Sequence, residues 1–194
     1  MSPARRPSEE RVDRRALLLE AVLRLLSRDG IAGISMRAVA REAGVALGLV
    51  HYYFEDKTSL IAAALLQVEE HDLMIVEPDP TWSPERRLRS ALRRVADPEF
   101  LTTEYLALRM QLWALAQVTQ EFAEINSSAQ ARYRAGIATL IRDARPDLGK
   151  RAADQRAADI DVIQNGVWLT SLLGLDRASI RRSVARTEEI ALGP

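Results

Sequence analysis

Apolar residues recur at helical spacing along almost the whole chain, and this periodicity limits the possible folds more than any other feature. Spacings of three and four residues put apolar side chains on one face of a helix, whereas strands need strict alternation. The first such face consists of Leu17, Leu18, Ala21, Val22, Leu25 and Leu26. Gly30 and Gly44 stop helices at their carboxyl ends, and Pro78 and Pro80 break a long one. The sequence therefore predicts an all-α fold of about nine or ten helices.

Composition excludes several classes of site. Apolar residues make up 47% of the 194 residues, enough for a hydrophobic core, and there is no cysteine, which rules out disulfides and thiolate chemistry. No stretch reaches the roughly 18 apolar residues of a membrane span, and the first residues lack the apolar run of a signal peptide. We therefore expect a cytoplasmic protein with no membrane association, metal or cofactor.

Two short helices around a glycine turn form the most informative segment. Ser35 is a predicted N-cap for a second helix. Ala43-Gly44-Val45 is a predicted turn whose central residue has a positive φ, which glycine adopts without strain. A third helix follows from about residue 47 to 52, and Asp56 caps a long fourth helix over about 57–76. This is the pattern of a helix-turn-helix, although an ordinary helical hairpin has the same spacing.

An aromatic run after the third helix makes the pattern more specific. The chain reads Gly48-Leu49-Val50-His51-Tyr52-Tyr53-Phe54, then Glu55-Asp56-Lys57, with Leu60 beyond. Over about residues 12–65 it closely resembles the tetracycline-repressor (TetR) family, whose signature joins the glycine turn, the aromatic run and this lysine. The resemblance implies an amino-terminal DNA-binding head and a larger body that dimerises and binds an effector.

The resemblance and helix-end chemistry together suggest which residues contact DNA. Phe54, Tyr53 and Leu60 are expected in the core. Tyr52 occupies a position that the family uses for phosphate contact, and a phosphate can meet a lysine and free N–H groups at a helix start. The expected phosphate contacts are Ser35, Met36, Arg37, Tyr52 and Lys57. The residues of the third helix expected to be exposed and to read bases are Ala46, Leu47, Gly48, Val50 and His51.

This base-reading set is unusually apolar. Few hydrogen-bond donors remain apart from His51 and Arg37, so thymine methyl contact and DNA shape are expected to carry more of the specificity. A lone histidine at position 51 can equally face solvent without touching DNA. Ala46 also lacks the hydroxyl that many family members use to cap this helix.

Beyond residue 65 the chain is similar to the branch that includes choline-responsive repressors. The features that carry this similarity are Leu112-Trp113-Ala114-Leu115-Ala116 and Asn165-Gly166-Val167-Trp168-Leu169. The branch usually has Asp where Asn165 stands and often Arg where Thr170 stands, so the effector is not carried over. The resemblance implies a homodimer, which we expect to form through helices at about 120–144 and 154–174. The expected apolar stripe is Ile160, Ile163, Val167, Trp168, Ser171, Leu172 and Leu175, although ordinary core burial accounts for about half of it.

Aromatic and methionine side chains of the body are candidates for an effector pocket. Such residues suit an apolar ligand, although a stripe of this kind is more often plain core. A cationic ligand held over a tryptophan face is the second possibility, and Glu104 and Asp161 are its candidate counter-charges. The full set of candidate ligand-binding residues is Glu104, Tyr105, Met110, Trp113, Phe122, Asp161 and Trp168.

An enzyme is not expected, because the only histidines are His51 and His71 and neither belongs to a catalytic motif. The alternative is a helical ligand-binding or scaffold protein without DNA-binding activity. We expect residues 1–56, with a flexible basic arm over 1–7, to form the DNA-binding domain. Residues 57–194 are expected to bind the effector and to dimerise. The expected partners are a palindromic double-stranded operator, a second copy of the chain and a small-molecule effector that releases the operator.

Overall fold

The computed structural model describes the backbone of residues 7–174 and 176–193, and the side chains of residues 14–174 and 176–193. Residues 1–6 of the basic arm predicted over 1–7, and the predicted interface residue Leu175, lie outside these ranges, whereas Pro7 is the first residue of a helix and not part of an arm. The chain divides into two compact units, one up to Val68 and one from Glu69 onwards. Within the described residues the regular structure is entirely helical, with nine α-helices, which confirms the predicted fold class.

The first unit, here called the head, is built from three helices and most of a fourth. Helix α1 spans Pro7–Asp29, α2 spans Met36–Ala43, α3 spans Leu47–Tyr53, and α4 spans Lys57–Leu73. Helix α2 packs against both α1 and α3. The predicted apolar face of α1 is buried apart from Leu17, which is 38% exposed, and Val39 of α2 is fully buried.

Local signals set the ends of the head helices where they were expected. The N–H of Gly30 bonds to the Leu26 carbonyl, and Gly30 has a φ of 66°. The Ser35 hydroxyl accepts a hydrogen bond from the Ala38 N–H at 3.1 Å, which caps α2. Gly44 ends α2 in the left-handed region with a φ of 68°. Helix α3 begins after Ala46 without a side-chain cap, also as expected.

The second unit, here called the body, contains the end of α4 and five further helices. Helix α4 gives way at Leu73 to a 3₁₀ turn over Met74–Val76. The helices that follow are α5 (Pro84–Arg94), α6 (Thr103–Leu115), α7 (Gln120–Ala144), α8 (Lys150–Leu172) and α9 (Arg177–Leu192). Ser83, Thr102, Thr119 and Asp176 cap four of them through their side chains. Helix α8 begins four residues earlier than expected, directly after Gly149.

Two hydrophobic clusters form the core of the body. The larger joins α5, α7, α8 and α9, with Leu92, Ile137 and Ile160 fully buried. The smaller brings Phe100, Leu106 and Trp168 together with Ile75 and Val95. In the described part of the chain, no helix is long and apolar enough to cross a membrane.

Two glycines of the helix-turn-helix should respond in opposite ways to alanine. Gly44→Ala should lower the free energy of unfolding by about 1–2 kcal/mol, because alanine is strained in the left-handed region, while a Cβ there meets no atom within 4 Å. Gly48 lies inside α3 with equally open space around it, so Gly48→Ala should raise the free energy by about 0.5–1 kcal/mol. Chemical denaturation of the two variants tests this, and equal shifts of the same sign would contradict the turn assignment.

Candidate DNA-binding interface and buried cavity

The exposed surface of α3 is formed by four of the predicted DNA-contacting residues. Ala46, Gly48, His51 and Tyr52 are exposed, and Leu47 is partly exposed. Tyr52 is 65% exposed, with its ring edge-on to Tyr53 at 5.1 Å between centroids. Together they present a small and largely apolar helical surface, with one imidazole and one phenol as its polar groups.

Val50 corrects the sequence prediction for this helix. It was expected to be exposed and to read bases, but its side chain is completely buried. The cause is the helical period, which places Val50 one turn before Phe54 on the inward face. Phe54 itself is 4% exposed and carries the guanidinium of Arg15 over its ring at 5.5 Å. Val50 therefore anchors α3 in the head.

At the start of α2, Arg37 is exposed and Met36 is partly exposed. The hydroxyl of Ser35 is already engaged as the cap of α2. Exposed ion pairs from Arg24 and Arg28 of α1 to Glu42 hold the other end of α2, at 3.1 and 3.3 Å. A hydrogen bond from Arg24 lowers the pKa of Glu42, so this carboxylate stays charged at neutral pH.

Lys57 has a structural contact that the sequence did not reveal. Its Nζ donates a hydrogen bond of 2.9 Å to the backbone carbonyl of Ile31, in the 3₁₀ turn Ile31–Gly33 that precedes α2. Asp56 caps α4 as predicted, because its carboxylate accepts from the Ser59 N–H at 2.8 Å. That hydrogen bond lowers the pKa of Asp56. Lys57 thus fixes the first turn of α4 to the segment that starts the helix-turn-helix, and an ammonium has two further protons to donate.

In the body, a partly open cavity lies between α4, α6, α7 and α8. It leaves about 30 Å³ open to water, which is room for about two water molecules. One end holds an arginine with two carboxylates, and the other end holds amide groups, a phenol and a third carboxylate. The lining residues are Glu69, Asp72, Leu73, Val95, Arg109, Ala129, Gln130, Tyr133, Asp161, Gln164, Asn165 and Trp168.

A single arginine holds two carboxylates at the charged end. One guanidinium nitrogen of Arg109 lies 3.1 Å from Glu69 Oε1 and 2.8 Å from Asp72 Oδ2. The three side chains are 4%, 8% and 6% exposed for Arg109, Glu69 and Asp72. Burial raises the pKa of Glu69 and of Asp72, and the charge of Arg109 opposes this rise. The hydroxyl of Tyr105 donates a hydrogen bond to Asp72 Oδ1, and burial raises the pKa of that phenol.

Aromatic rings enclose the guanidinium. The Cζ atom of Arg109 lies 5.3 Å from the ring centroid of Trp113 and 5.5 Å from that of Trp168, within cation–π range. The Trp168 indole N–H is fixed by a 2.9 Å hydrogen bond to the Val95 carbonyl. Phe100 stacks on Trp168 with centroids 6.0 Å apart.

The opposite end of the cavity joins α7 to α8. Asp161 accepts hydrogen bonds from Arg134 at 3.1 Å and from Asn165 at 3.0 Å. Burial raises the pKa of Asp161 and its pairing with Arg134 opposes the rise. The Tyr133 hydroxyl donates to Gln164 Oε1 at 2.8 Å. Among the described residues, no group of His, Cys, Asp or Glu is placed to hold a metal ion.

The structure places only part of the predicted ligand set at this cavity. Asp161 and Trp168 line it, and Tyr105 and Trp113 contact its charged cluster. The other three are not lining residues: Glu104 is exposed, Met110 is partly exposed, and Phe122 is 2% exposed. The prediction selected aromatic residues and missed the ion cluster. A usable signal was present, since Arg109 is the one charge in the run Tyr105–Leu115.

A helix-turn-helix head with an exposed third helix, followed by a larger helical body that contains a cavity, is the architecture of a DNA-binding transcription regulator. Comparison with protein families gives the same assignment. Residues 18–64 match the model for bacterial regulatory proteins of the tetR family, and residues 84–191 match that for the C-terminal part of BetI-type transcriptional repressors. The chain belongs to the TetR family of transcriptional regulators, with a BetI-type C-terminal domain. The predicted resemblance and the DNA-binding regulatory function are confirmed.

Individual relatives agree with this assignment. The HTH-type transcriptional regulator BetI of Rhizobium meliloti (strain 1021) is 27% identical over 179 residues, which cover 91% of this chain and 86% of the relative. The regulator of the same name from Burkholderia ambifaria (strain MC40-6) is 27% identical over 161 residues, covering 82% of each chain.

Solved structures share the fold. A transcriptional regulator from Pseudomonas aeruginosa PAO1 superposes with a TM-score of 0.81 at 25% identity, covering 97% of this chain and 92% of that one. A TetR regulator from Haloarcula marismortui gives 0.80 at 20% identity, covering 93% and 97%.

The buried carboxylates should leave a signature in the pH dependence of stability. Because the folded state raises the pKa of Glu69, it holds a proton more tightly than the unfolded chain does. This contribution to stability is complete below the ordinary carboxyl pKa of about 4 and is lost as pH rises through the raised value. Glu69→Gln removes the titrating group, so relative to this variant the wild type should lose unfolding free energy with rising pH.

Denaturant titrations over a pH series measure this difference. Glu70→Gln is the matched control, because Glu70 is the exposed neighbour on the same helix, and it should retain the wild-type dependence. If the free energies of unfolding of wild type and Glu69→Gln changed in parallel with pH, the pKa of Glu69 would not be raised in the folded state.

Proposed function

We propose that this protein is a dimeric repressor that binds a palindromic operator through α3 and leaves it when a small molecule occupies the cavity. The main support for the proposal is the exposed face of α3. The opposite face of this helix packs into the core of the head through Val50, next to Phe54. Helices of this kind enter the major groove and read base edges.

The contacts to DNA divide into two kinds. Leu47, Gly48 and His51 would read bases, with thymine methyls as the natural partner of the apolar side chains. Arg37, Tyr52 and the first turn of α4 at Lys57 would contact phosphates and set the register. Met36 and the backbone at Ser35 would lie on the same flank, and Ala46 would allow close approach at the uncapped start of α3.

The outer face of α8 would supply the dimer interface. Val162, Leu169 and Leu173 are 71%, 44% and 77% exposed, and Gly166 lies between them in a spacing of four, three and four residues. This spacing gives one continuous apolar stripe. It differs from the predicted stripe, because Ile160, Val167 and Trp168 are buried within the protomer. The described outward residues of α7 are mainly polar or small, so α8 replaces the predicted pair of helices in this proposal.

The route from cavity to head would be α4 itself. Glu69 and Asp72 lie in its last turns, and Lys57, which fixes the turn before α2, is its first residue. A ligand that moves the two carboxylates therefore acts on the same helix that positions the helix-turn-helix.

Selection from a pool of random duplexes tests operator recognition and separates the two kinds of contact. The wild type should enrich one palindromic sequence. His51→Ala should change the preferred bases and cost about 1–3 kcal/mol on the original site, with an unchanged salt dependence. Arg37→Ala should weaken all duplexes alike and reduce the salt slope by about one phosphate per half-site. Each variant is the control for the other. Failure of the wild type to enrich any sequence would contradict the operator proposal.

A charge on the outer face of α8 should separate the dimer. Leu169→Glu should raise the dimer dissociation constant by about tenfold or more, because each copy of the leucine contributes about 1.5–3 kcal/mol when buried. Val118→Glu is the control, since Val118 is 59% exposed and lies outside α8. Analytical ultracentrifugation reads both variants. A wild type that is monomeric at micromolar concentration, or a Leu169→Glu protein that dimerises normally, would exclude this interface.

A further inference from the structure

The cavity carries more buried negative charge than positive charge. Among the described residues that line it, the acidic ones are Glu69, Asp72 and Asp161, and the one basic residue is Arg109. Arg134 reaches Asp161 from the rim, where its side chain is 38% exposed. Arg109 and Arg134 together compensate two of the three carboxylates. One negative charge remains, and it lies at the end where Glu69 and Asp72 share a single guanidinium nitrogen.

A surplus charge in this position is costly. Both carboxylates are more than nine-tenths buried, and an ionised group away from water is tolerated only when it is paired. The missing positive charge must therefore come from a proton on the pair or from a cation in the cavity. Two carboxylates that share one site commonly hold one proton between them, because two adjacent negative charges repel each other.

The other groups around the pair do not supply this charge. Tyr105 on α6 and Tyr133 on α7 are neutral phenols, and burial raises the pKa of each. His71 on α4 is exposed and does not line the cavity, although its charge opposes the rise in the pKa of Asp72. Asp161 on α8 is engaged with Arg134. Glu69 and Asp72, whose pKa values burial also raises, are the groups that can take up the proton.

One carboxylate oxygen at the pair without a hydrogen bond favours a ligand with N–H donors. Asp72 Oδ2 lies close to Arg109, but it accepts no hydrogen bond and is fully buried. The aromatic faces are less available. Trp168, the tryptophan that lines the cavity, has Arg109 within cation–π range and Phe100 stacked on it. A cation without N–H groups could not stack on a free face of Trp168 and could not donate a hydrogen bond to Asp72 Oδ2. The small volume of the cavity favours a small ligand.

We infer that the cavity binds a small primary or secondary ammonium ion beside Glu69 and Asp72, and that binding releases the proton these two carboxylates share. The inference rests on the proposed function, because it names the effector class of the same cavity. Binding is an exchange of one cation for another, so the cavity ends with its charge compensated and the proton passes to solvent.

Isothermal titration calorimetry of the purified protein without DNA tests the exchange. The probes are ethanolamine, choline and 5-aminopentan-1-ol, which contains the same heavy atoms as choline but has a primary amine. Each is titrated in phosphate and in Tris buffer, whose ionisation enthalpies differ. Ethanolamine should bind with a buffer-dependent enthalpy that corresponds to proton release, and its affinity should rise with pH until the pair is deprotonated. Ethanolamine, and 5-aminopentan-1-ol if the cavity admits it, should have a dissociation constant at least about tenfold lower than that of choline.

Two variants locate the effect. Glu69→Gln removes the surplus charge and should abolish proton release and weaken ethanolamine binding by about tenfold or more, while Glu70→Gln should behave as the wild type. Thermal unfolding confirms that both variants fold. If Glu69→Gln does not fold, Asp72→Asn takes its place with the same expected result.

Three results would overturn the inference: no binding of ethanolamine to the wild type, binding with no buffer dependence, or choline binding as tightly as the amines. Because the titration contains no DNA, these outcomes leave operator recognition by the head untouched. Loss of operator binding in the duplex selection would likewise leave the calorimetric result standing, so the two failures are distinguishable.

Discussion

The guanidinium of Arg109 is the interaction on which the arrangement of the cavity depends. It brings the last turns of α4 against α6 through Glu69 and Asp72, and its position beside Trp113 and Trp168 extends this contact to α8. Removing a partner from a buried ion cluster leaves an uncompensated charge, which costs far more than the cluster contributes as a whole. A site of this kind adds little net stability, and under the proposed function the charge in the cavity influences the position of α4.

The head depends on a second polar contact at the other end of the same helix. Lys57 donates to the Ile31 carbonyl and thereby ties α4 to the segment that opens the helix-turn-helix. The remaining constraints on the reading helix are local and apolar: the left-handed turn at Gly44, and the burial of Val50 and Phe54. Both polar contacts therefore lie on one continuous helix, α4, and the proposed link between DNA binding and ligand binding depends on it.

Sequence reasoning predicted what local chemistry determines. Caps at Ser35 and Asp56, the glycine stop at Gly44 and the helical class of the chain depend on neighbouring residues, and all of them are present in the structure. Val50 was misplaced because a helix of seven residues shows less than two turns of periodicity, and its inward face is fixed by contacts elsewhere in the head. The Glu69–Arg109 pair joins residues 40 apart in sequence, so the lone charge in the run Tyr105–Leu115 marks the arginine but does not identify its partner. Of the predicted α8 stripe, Ile160, Val167 and Trp168 are buried within the protomer, which agrees with the expectation that ordinary core burial accounts for part of it.

Under the proposed function, the charge in the cavity and the binding of operator DNA by α3 are linked through α4. Fluorescence anisotropy of a selected operator duplex, with and without saturating ethanolamine, measures that linkage directly in the wild type and in Glu69→Gln. We expect the amine to raise the operator dissociation constant of the wild type by about five- to 150-fold, and to raise that of Glu69→Gln at the same amine concentration by a smaller factor, because the variant binds the amine more weakly. An amine that binds the free wild-type protein but leaves its operator affinity unaltered would contradict this linkage.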